Sequence, residues 1–179
     1  MRFGAILMLL LSLLLTPHGS HAQNSQPSEY QVKAAFIFNF AKFVEWPPGA
    51  FADARSPLLI GILGESPFGT DFEQAVRGKT LNNRPVTVKE CRTTEEARKC
   101  HVLFISTSEK ARLKEIFKDL ASTNILTVGE TEDFIKDGGM IRFFWEGNKI
   151  RFEISGDVAK KAGLKIDSKL LSLGRKPAG

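Results

Sequence analysis

The two cysteines of the chain, Cys91 and Cys100, lie nine positions apart. Their spacing differs from the Cys-x-x-Cys arrangement of redox enzymes, so catalysis by this pair is not expected. In an oxidising compartment, two cysteines so close in sequence most simply form a disulfide, with two free thiols or an intermolecular bond as the alternatives. Closing the short loop between them would stabilise the fold by about 2–3 kcal/mol.

A second set of polar residues lies in two strand-like runs near the C-terminus. Arg142, Arg151 and Glu153 alternate there with apolar residues, so their side chains share one face of a predicted hairpin. On that face they could line a cleft for a small molecule or contact a partner, and a salt-bridged surface is the alternative. These three residues are therefore candidates for binding.

The rest of the chain offers no recognised catalytic or metal-binding motif. His101 is the one histidine outside the N-terminal segment, and a single histidine beside a cysteine does not supply the usual ligands of a metal site. Gly78-Lys79-Thr80 matches only the end of a P-loop, because Glu73 stands where the first glycine is required. We therefore expect a non-enzymatic protein without a metal or cofactor, and a hydrolase with an unrecognised site is the alternative.

The N-terminal residues have the features of a secretory signal peptide. Arg2 precedes an apolar run over residues 5–15, and residues 20–22 match the small-x-small cleavage pattern. The sequence predicts a signal peptide over residues 1–22 and export to the periplasm. It predicts no direct membrane insertion of the mature chain.

Composition and charge describe an ordinary globular protein. Residues 23–179 are long enough for a single domain with one core. The formal net charge is +5, but the basic residues are scattered along the chain and are not interleaved with aromatic residues. This pattern argues against nucleic-acid binding.

The stretch over residues 30–48 is the most apolar part of this domain. It predicts a long first helix that Pro47 and Pro48 end, because proline has no N–H to donate and restricts the residue before it. Lys33 lies nearly opposite the polar stripe, so it must extend along its own stem or find a partner. The helix is either a buried core helix or, through Phe38, part of a contact surface for a second chain.

Further strands and helices alternate after the prolines. Apolar runs predict strands over residues 58–63, 86–89, 102–105 and 125–128, and capping boxes predict helices that begin near Thr70, Thr93 and Ser106. Thr131 is expected to cap a short helix, and Asp167 or Ser168 to cap a final turn.

The C-terminal part departs from this alternation. Residues 140–145 and 149–154 read as a hairpin, a helix follows it, and residues 175–179 are expected to fray. The whole order predicts an α/β fold with a mainly parallel (mixed) sheet, helices on both faces and a C-terminal antiparallel hairpin.

Three stretches together resemble a known family: EYQVKAAFIFNFAKFVEWP over residues 29–47, GGMIRFFWEGNKIRFEIS over residues 138–155, and AGLKIDSKLLSLG over residues 162–174. With the signal peptide and the strand CHVLFIS, the chain is similar to the YfiR family across essentially its whole mature length. The resemblance implies one YfiR-like domain over residues 23–179.

The resemblance also implies a function. It points to a periplasmic signalling regulator that binds the periplasmic region of an inner-membrane diguanylate cyclase and represses it. Repression would lower cyclic di-GMP and biofilm growth. A homodimer and a redox-linked disulfide are also implied. A periplasmic small-ligand sensor is the alternative function, with its cleft at Arg142, Arg151 and Glu153.

Overall fold

The computed structural model describes residues 27–177, and the predicted signal peptide lies outside them. Helices alternate with strands along the described chain. The helices are α1 (Glu29–Ala41), α2 (Asp71–Val76), α3 (Thr94–Ala97), α4 (Leu113–Asp119), α5 (Gly156–Lys161) and α6 (Ser168–Leu173). The strands are β1 (Val44–Glu45), β2 (Leu58–Leu63), β3 (Thr80–Leu81), β4 (Arg84–Cys91), β5 (Val102–Ile105), β6 (Leu126–Gly129), β7 (Ile141–Glu146), β8 (Lys149–Ile154) and β9 (Lys165–Ile166).

Seven of the strands form one sheet in the order β3-β4-β2-β5-β6-β7-β8. The inner strands from β4 to β7 are parallel, whereas β3 and β8 pair antiparallel at the two ends. The predicted fold class is therefore confirmed, including the mainly parallel sheet and the C-terminal antiparallel hairpin formed by β7 and β8.

Helices cover both faces of the sheet, as the buried strands require. On β5, Val102 and Phe104 pack with the core cluster that contains α1 and α2. Leu103 and Ile105 pack with a second cluster that contains α4. Because successive side chains of a strand point to opposite faces, an entirely apolar strand needs a helical layer on each side.

The first helix is shorter than the sequence predicts. It begins with a capping box at Ser28 and ends at Ala41, six residues before Pro47. Val44–Glu45 instead pairs antiparallel with Lys165–Ile166 as a separate two-stranded sheet. The prolines only prevent the helix from continuing past them. The pairing of Val44–Glu45 with a strand about 120 positions later cannot be recognised from local sequence pattern.

The capping predictions are right at some helices and wrong at others. Thr93 accepts a hydrogen bond from the Glu96 N–H, and Asp167 caps α6 as predicted. Thr70 makes no side-chain cap bond, and the segment after Ser106 is a 3₁₀ helix (Thr107–Arg112) before α4 begins. Residues 132–138 form turns, so the predicted helix after Thr131 is wrong.

None of the helices in residues 27–177 is long and apolar enough to cross a bilayer.

Candidate functional site

The hairpin brings Arg142 and Glu153 together. They lie opposite each other on β7 and β8, and the Arg142 Nε donates to a carboxylate oxygen of Glu153 at 2.6 Å. Both side chains are largely buried, so each charge depends on the other for compensation. The prediction that these residues share a face is correct.

Arg151 lies further along the same face and pairs elsewhere. It is opposite Phe144, and its Nε donates to Glu146 at 3.3 Å. Both side chains of this pair are more than half exposed, so the contact adds at most about 1 kcal/mol. Arg151 is therefore free to exchange Glu146 for a charged group on another molecule.

Arg175 completes the charged cluster, although the sequence predicts that it frays. Its backbone forms a parallel bridge with Glu153, in which the Arg175 N–H donates to the Phe152 carbonyl and the Ile154 N–H donates to the Arg175 carbonyl, each at 3.0 Å. Its guanidinium lies 3.5 Å from Glu153 and 3.9 Å from the centre of the Phe144 ring. The predicted fraying is wrong at this residue, because strand β8 supplies backbone partners that no local signal reveals.

A cleft of about 940 Å³ opens beside this cluster. Arg142 and Glu153 form its inner part, and Arg175 borders it on the side of the C-terminal segment. The turn after β6 supplies the opposite wall through Glu132, Asp133 and Lys136. Charges of both signs therefore surround a space large enough for a small polar molecule.

A second cleft of about 540 Å³ lies where α1 meets the ends of the central strands. Arg142 lines this cleft as well as the first one. Trp145 contributes to its wall and is 54% exposed, which makes it an accessible aromatic side chain next to polar groups.

Lys33 is buried in the wall of this second cleft and has partners, which is one of the two alternatives that its sequence position allows. Its ammonium contacts the carboxylates of Glu29 and Glu130, and the Tyr30 hydroxyl donates to Glu130 at 3.2 Å. Burial lowers the pKa of Lys33, but the hydrogen bonds and charges of the two carboxylates outweigh it and hold the pKa above 10.5. Glu130 cannot be recognised as a partner from the sequence, because it lies 97 positions from Lys33.

Phe38 is 4% exposed and belongs to the core cluster around α1. The ammonium groups of Lys42 and Lys79 lie 4.5 and 5.0 Å from the centre of its ring. The structure thus places Phe38 where the buried-helix interpretation requires it. Its ring has little area left for a second chain.

The two cysteines meet across strand β2, over Gly61. Cys91 ends β4, and Cys100 precedes β5, with β2 between these two strands. Their Sγ atoms are 3.8 Å apart, and both residues are buried as free thiols. The structure therefore confirms the proximity of the two cysteines, while the disulfide itself stays a prediction.

Gly61 of β2 leaves the space that the two sulfur atoms occupy. A Cβ at this position would lie 2.6 Å from the Cys100 Sγ and 3.2 Å from the Cys91 Sγ. Burial raises the pKa of the Cys91 thiol, and burial together with the neighbouring Cys91 raises that of Cys100 to about 12. Both thiols are thus poor nucleophiles in the folded protein.

Metal binding has no support in this part of the chain. Within residues 27–177, no group of three or more histidine, cysteine, aspartate or glutamate side chains is placed to hold a metal ion.

A protein-family model described as YfiR/HmsC-like matches residues 30–175, which confirms the resemblance seen in the sequence. A search of curated proteins finds no match.

Proposed function

The chain belongs to the YfiR/HmsC-like family, and we propose that it is an exported, non-enzymatic regulator that binds and represses an inner-membrane partner. By resemblance the partner is a diguanylate cyclase, so the regulator would act on cyclic di-GMP and biofilm growth from the periplasm. The single observation that carries this proposal is the family match over residues 30–175.

The hairpin exposes an aromatic side chain and a positively charged side chain that a partner could contact. Trp145 is exposed on β7, and tryptophan and arginine are the residue types that most often dominate binding energy at interfaces. Arg151 lies nearby on β8 with a weak, exposed pair that a partner carboxylate could replace. The proposed contact therefore wraps around the end of the hairpin, because Phe144 and Arg151 share one face and Trp145 lies on the other.

Purified mature protein added to membrane vesicles that contain a candidate cyclase tests this function. We expect the protein to co-sediment with the vesicles and to lower cyclic di-GMP production. Trp145→Ala and Arg151→Ala should weaken both effects, whereas Lys118→Ala on the distant helix α4 should leave them unchanged. Unchanged cyclic di-GMP and no co-sedimenting membrane protein would contradict the proposal.

The family also implies a homodimer, which sedimentation velocity can test on the same purified protein. We expect a single species of about twice the mass of the mature chain at micromolar concentration. A monomer at every concentration would remove the dimer from the proposal and leave the partner contact standing.

We further propose that Cys91 and Cys100 form a disulfide in the exported protein. Mass spectrometry of protein purified from the periplasm should find the two residues joined. Reduction should lower the free energy of unfolding by about 2–3 kcal/mol, because the closed loop restricts the unfolded chain. Two thiols that are alkylated after denaturation without reductant would contradict the bond.

A small-ligand sensor is the second function that a specific observation favours. The cleft beside Arg142, Glu153 and Arg175 has charges of both signs, which suits an amino acid or a similar metabolite. A thermal-shift screen should reveal a ligand that raises the melting temperature, because binding stabilises the folded state by mass action.

The shift should be lost in Glu153→Ala and reduced in Lys136→Ala. The second variant is needed because Glu153→Ala leaves two arginines without their carboxylate. Lys136 is exposed, so the Lys136→Ala variant should fold normally. A shift that both variants retain would place the ligand elsewhere.

A further inference from the structure

His101 holds a loop against the sheet through both nitrogens of its ring. The loop spans residues 47–57, between β1 and β2. The Leu59 backbone N–H points at the ring Nδ1 at 3.0 Å, and the ring Nε2 lies 3.1 Å from the Ala50 carbonyl. A backbone N–H can only donate, so Nδ1 must accept, and Nε2 must carry the proton that it donates to Ala50. The contacts therefore require the neutral ring.

Aromatic stacking joins the loop to this ring. Phe51 lies parallel to His101, with 4.1 Å between ring centres, and Trp46 meets His101 edge-on at 6.4 Å. The Arg84 guanidinium lies 4.0 Å from the Phe51 ring centre and donates to the Asp53 and Ser56 carbonyls. The loop thus has two attachments, one to a histidine and one to an arginine.

A proton added to the ring disrupts its contact with β2, and a ring that turns away from the Leu59 N–H also withdraws Nε2 from the Ala50 carbonyl of the loop. Protonation turns Nδ1 into a donor that faces the Leu59 N–H, so a hydrogen bond becomes a contact between two donors. The new positive charge is also buried, since His101 is 9% exposed. Burial is the largest effect on the pKa of His101 and lowers it, the hydrogen bond to Ala50 raises it, and the charge of Arg84 lowers it; together they hold the pKa below 6.5 in the closed state.

The charged groups on the surrounding elements do not offset this positive charge. Strands β2 and β5 have no charged residue, and the charge that β4 places nearest the ring is Arg84. In the loop, the Asp53 carboxylate accepts the N–H groups of Arg55 and Ser56 at 2.6 and 2.7 Å. Glu45, next to Trp46, is exposed and pairs with Lys165.

We propose that the 47–57 loop is a pH-sensitive latch, which opens when acid protonates His101 and breaks its hydrogen bond with Leu59. Opening uncovers Phe51 and Trp46 at the edge of the sheet where β2 and β5 begin. The ratio of closed to open loop falls up to tenfold for each pH unit below 6.5, until the closed state itself takes up the proton. This inference is independent of the proposed partner.

Amide hydrogen exchange on the unaltered protein tests the latch between pH 7.5 and 4.5. After correction for the intrinsic pH dependence of exchange, protection of the loop amides should fall up to tenfold per pH unit below 6.5. Protection of the β5 amides should stay constant, which separates opening of the loop from general acid unfolding. Loop protection that is constant over this range, or that falls together with that of β5, would overturn the proposal.

A variant pair adds an optical measurement. In Trp145→Phe protein, Trp46 is the one remaining tryptophan, and its emission should move to longer wavelength as acid opens the loop. His101→Asn in the same background supplies an acceptor for Leu59 that does not titrate in this range, so the shift should disappear. The same acid-induced shift in both proteins would overturn the role of His101.

Discussion

Lys33 and His101 are buried basic side chains at opposite edges of one sheet, and burial has opposite outcomes for them. Glu130, which holds Lys33, directly follows the C-terminal end of β6, whereas His101 directly precedes β5. Lys33 meets two carboxylates, so its pKa lies above the usual value. His101 is buried without a carboxylate partner and lies near Arg84, so its pKa lies below the usual value.

The difference shows that partners decide the charge of a buried group. Removal from water disfavours the charged form of both side chains. For Lys33, two hydrogen-bonded carboxylates reverse that effect and keep the ammonium charged, which ties α1 to the end of β6. For His101 no carboxylate contributes, and the neutral ring is the form that fits.

The largest expected effect comes from removing the buried ammonium. Lys33→Met leaves Glu130 buried without its cation, and loss of one partner of a buried pair typically costs about 3–5 kcal/mol. Urea unfolding measures the change, and Lys118→Met, an exposed lysine on α4, should stay within about 0.5 kcal/mol of the unaltered protein. A loss under about 1 kcal/mol for Lys33→Met would show that the cluster is not a stabilising tie.

Removing one carboxylate should have a smaller effect than removing the ammonium. Glu130→Gln keeps the side-chain shape and leaves Glu29 to compensate Lys33, so we expect a loss of about 1–3 kcal/mol. The matched control is Glu132→Gln, which changes an exposed carboxylate two positions away and should alter stability by less than about 0.5 kcal/mol. Equal losses in the two variants would mean that the contact with Lys33 carries no special weight.

The smallest expected effects are on the pH dependence of stability, which should differ between the regions around His101 and Lys33. Because the folded pKa of His101 is lowered, its contribution to stability is present above 6.5 and is lost as the pH falls, by at most about 1.4 kcal/mol per unit. Because the folded pKa of Lys33 is raised, its contribution is present below 10.5 and is lost as the pH rises through the folded pKa.

Free energies of unfolding at pH 5, 7 and 9 measure the His101 part of this profile, because the Lys33 contribution is constant below pH 10.5. In His101→Asn, the free energy of unfolding should fall less between pH 7 and pH 5 than in the unaltered protein. The difference between its values at pH 7 and pH 9 should be the same as in the unaltered protein. An acid loss of unchanged size in this variant would assign it to other groups.

Sequence pattern predicted most of the sheet and the placement of Arg142 and Glu153 on one face. Both follow from short-range rules, since apolar runs form buried strands and alternate residues of a strand share a face. The contact of Cys91 with Cys100 could also be predicted, because only a short helix separates the two residues in the sequence. By contrast, β1 and β9 were missed because each is two residues long and pairs with a segment far along the chain.

The sequence by itself determined the family, the α/β order of elements and the requirement that Lys33 either extend along its own stem or find a partner. It determined them because hydrophobic periodicity and motif spacing are local properties of the chain. Only the tertiary structure decided that Glu130 is a partner of Lys33, that Arg175 joins Glu153 and that His101 must be neutral. These outcomes depend on groups that folding brings together from distant parts of the chain, and a charge responds to its neighbours in space.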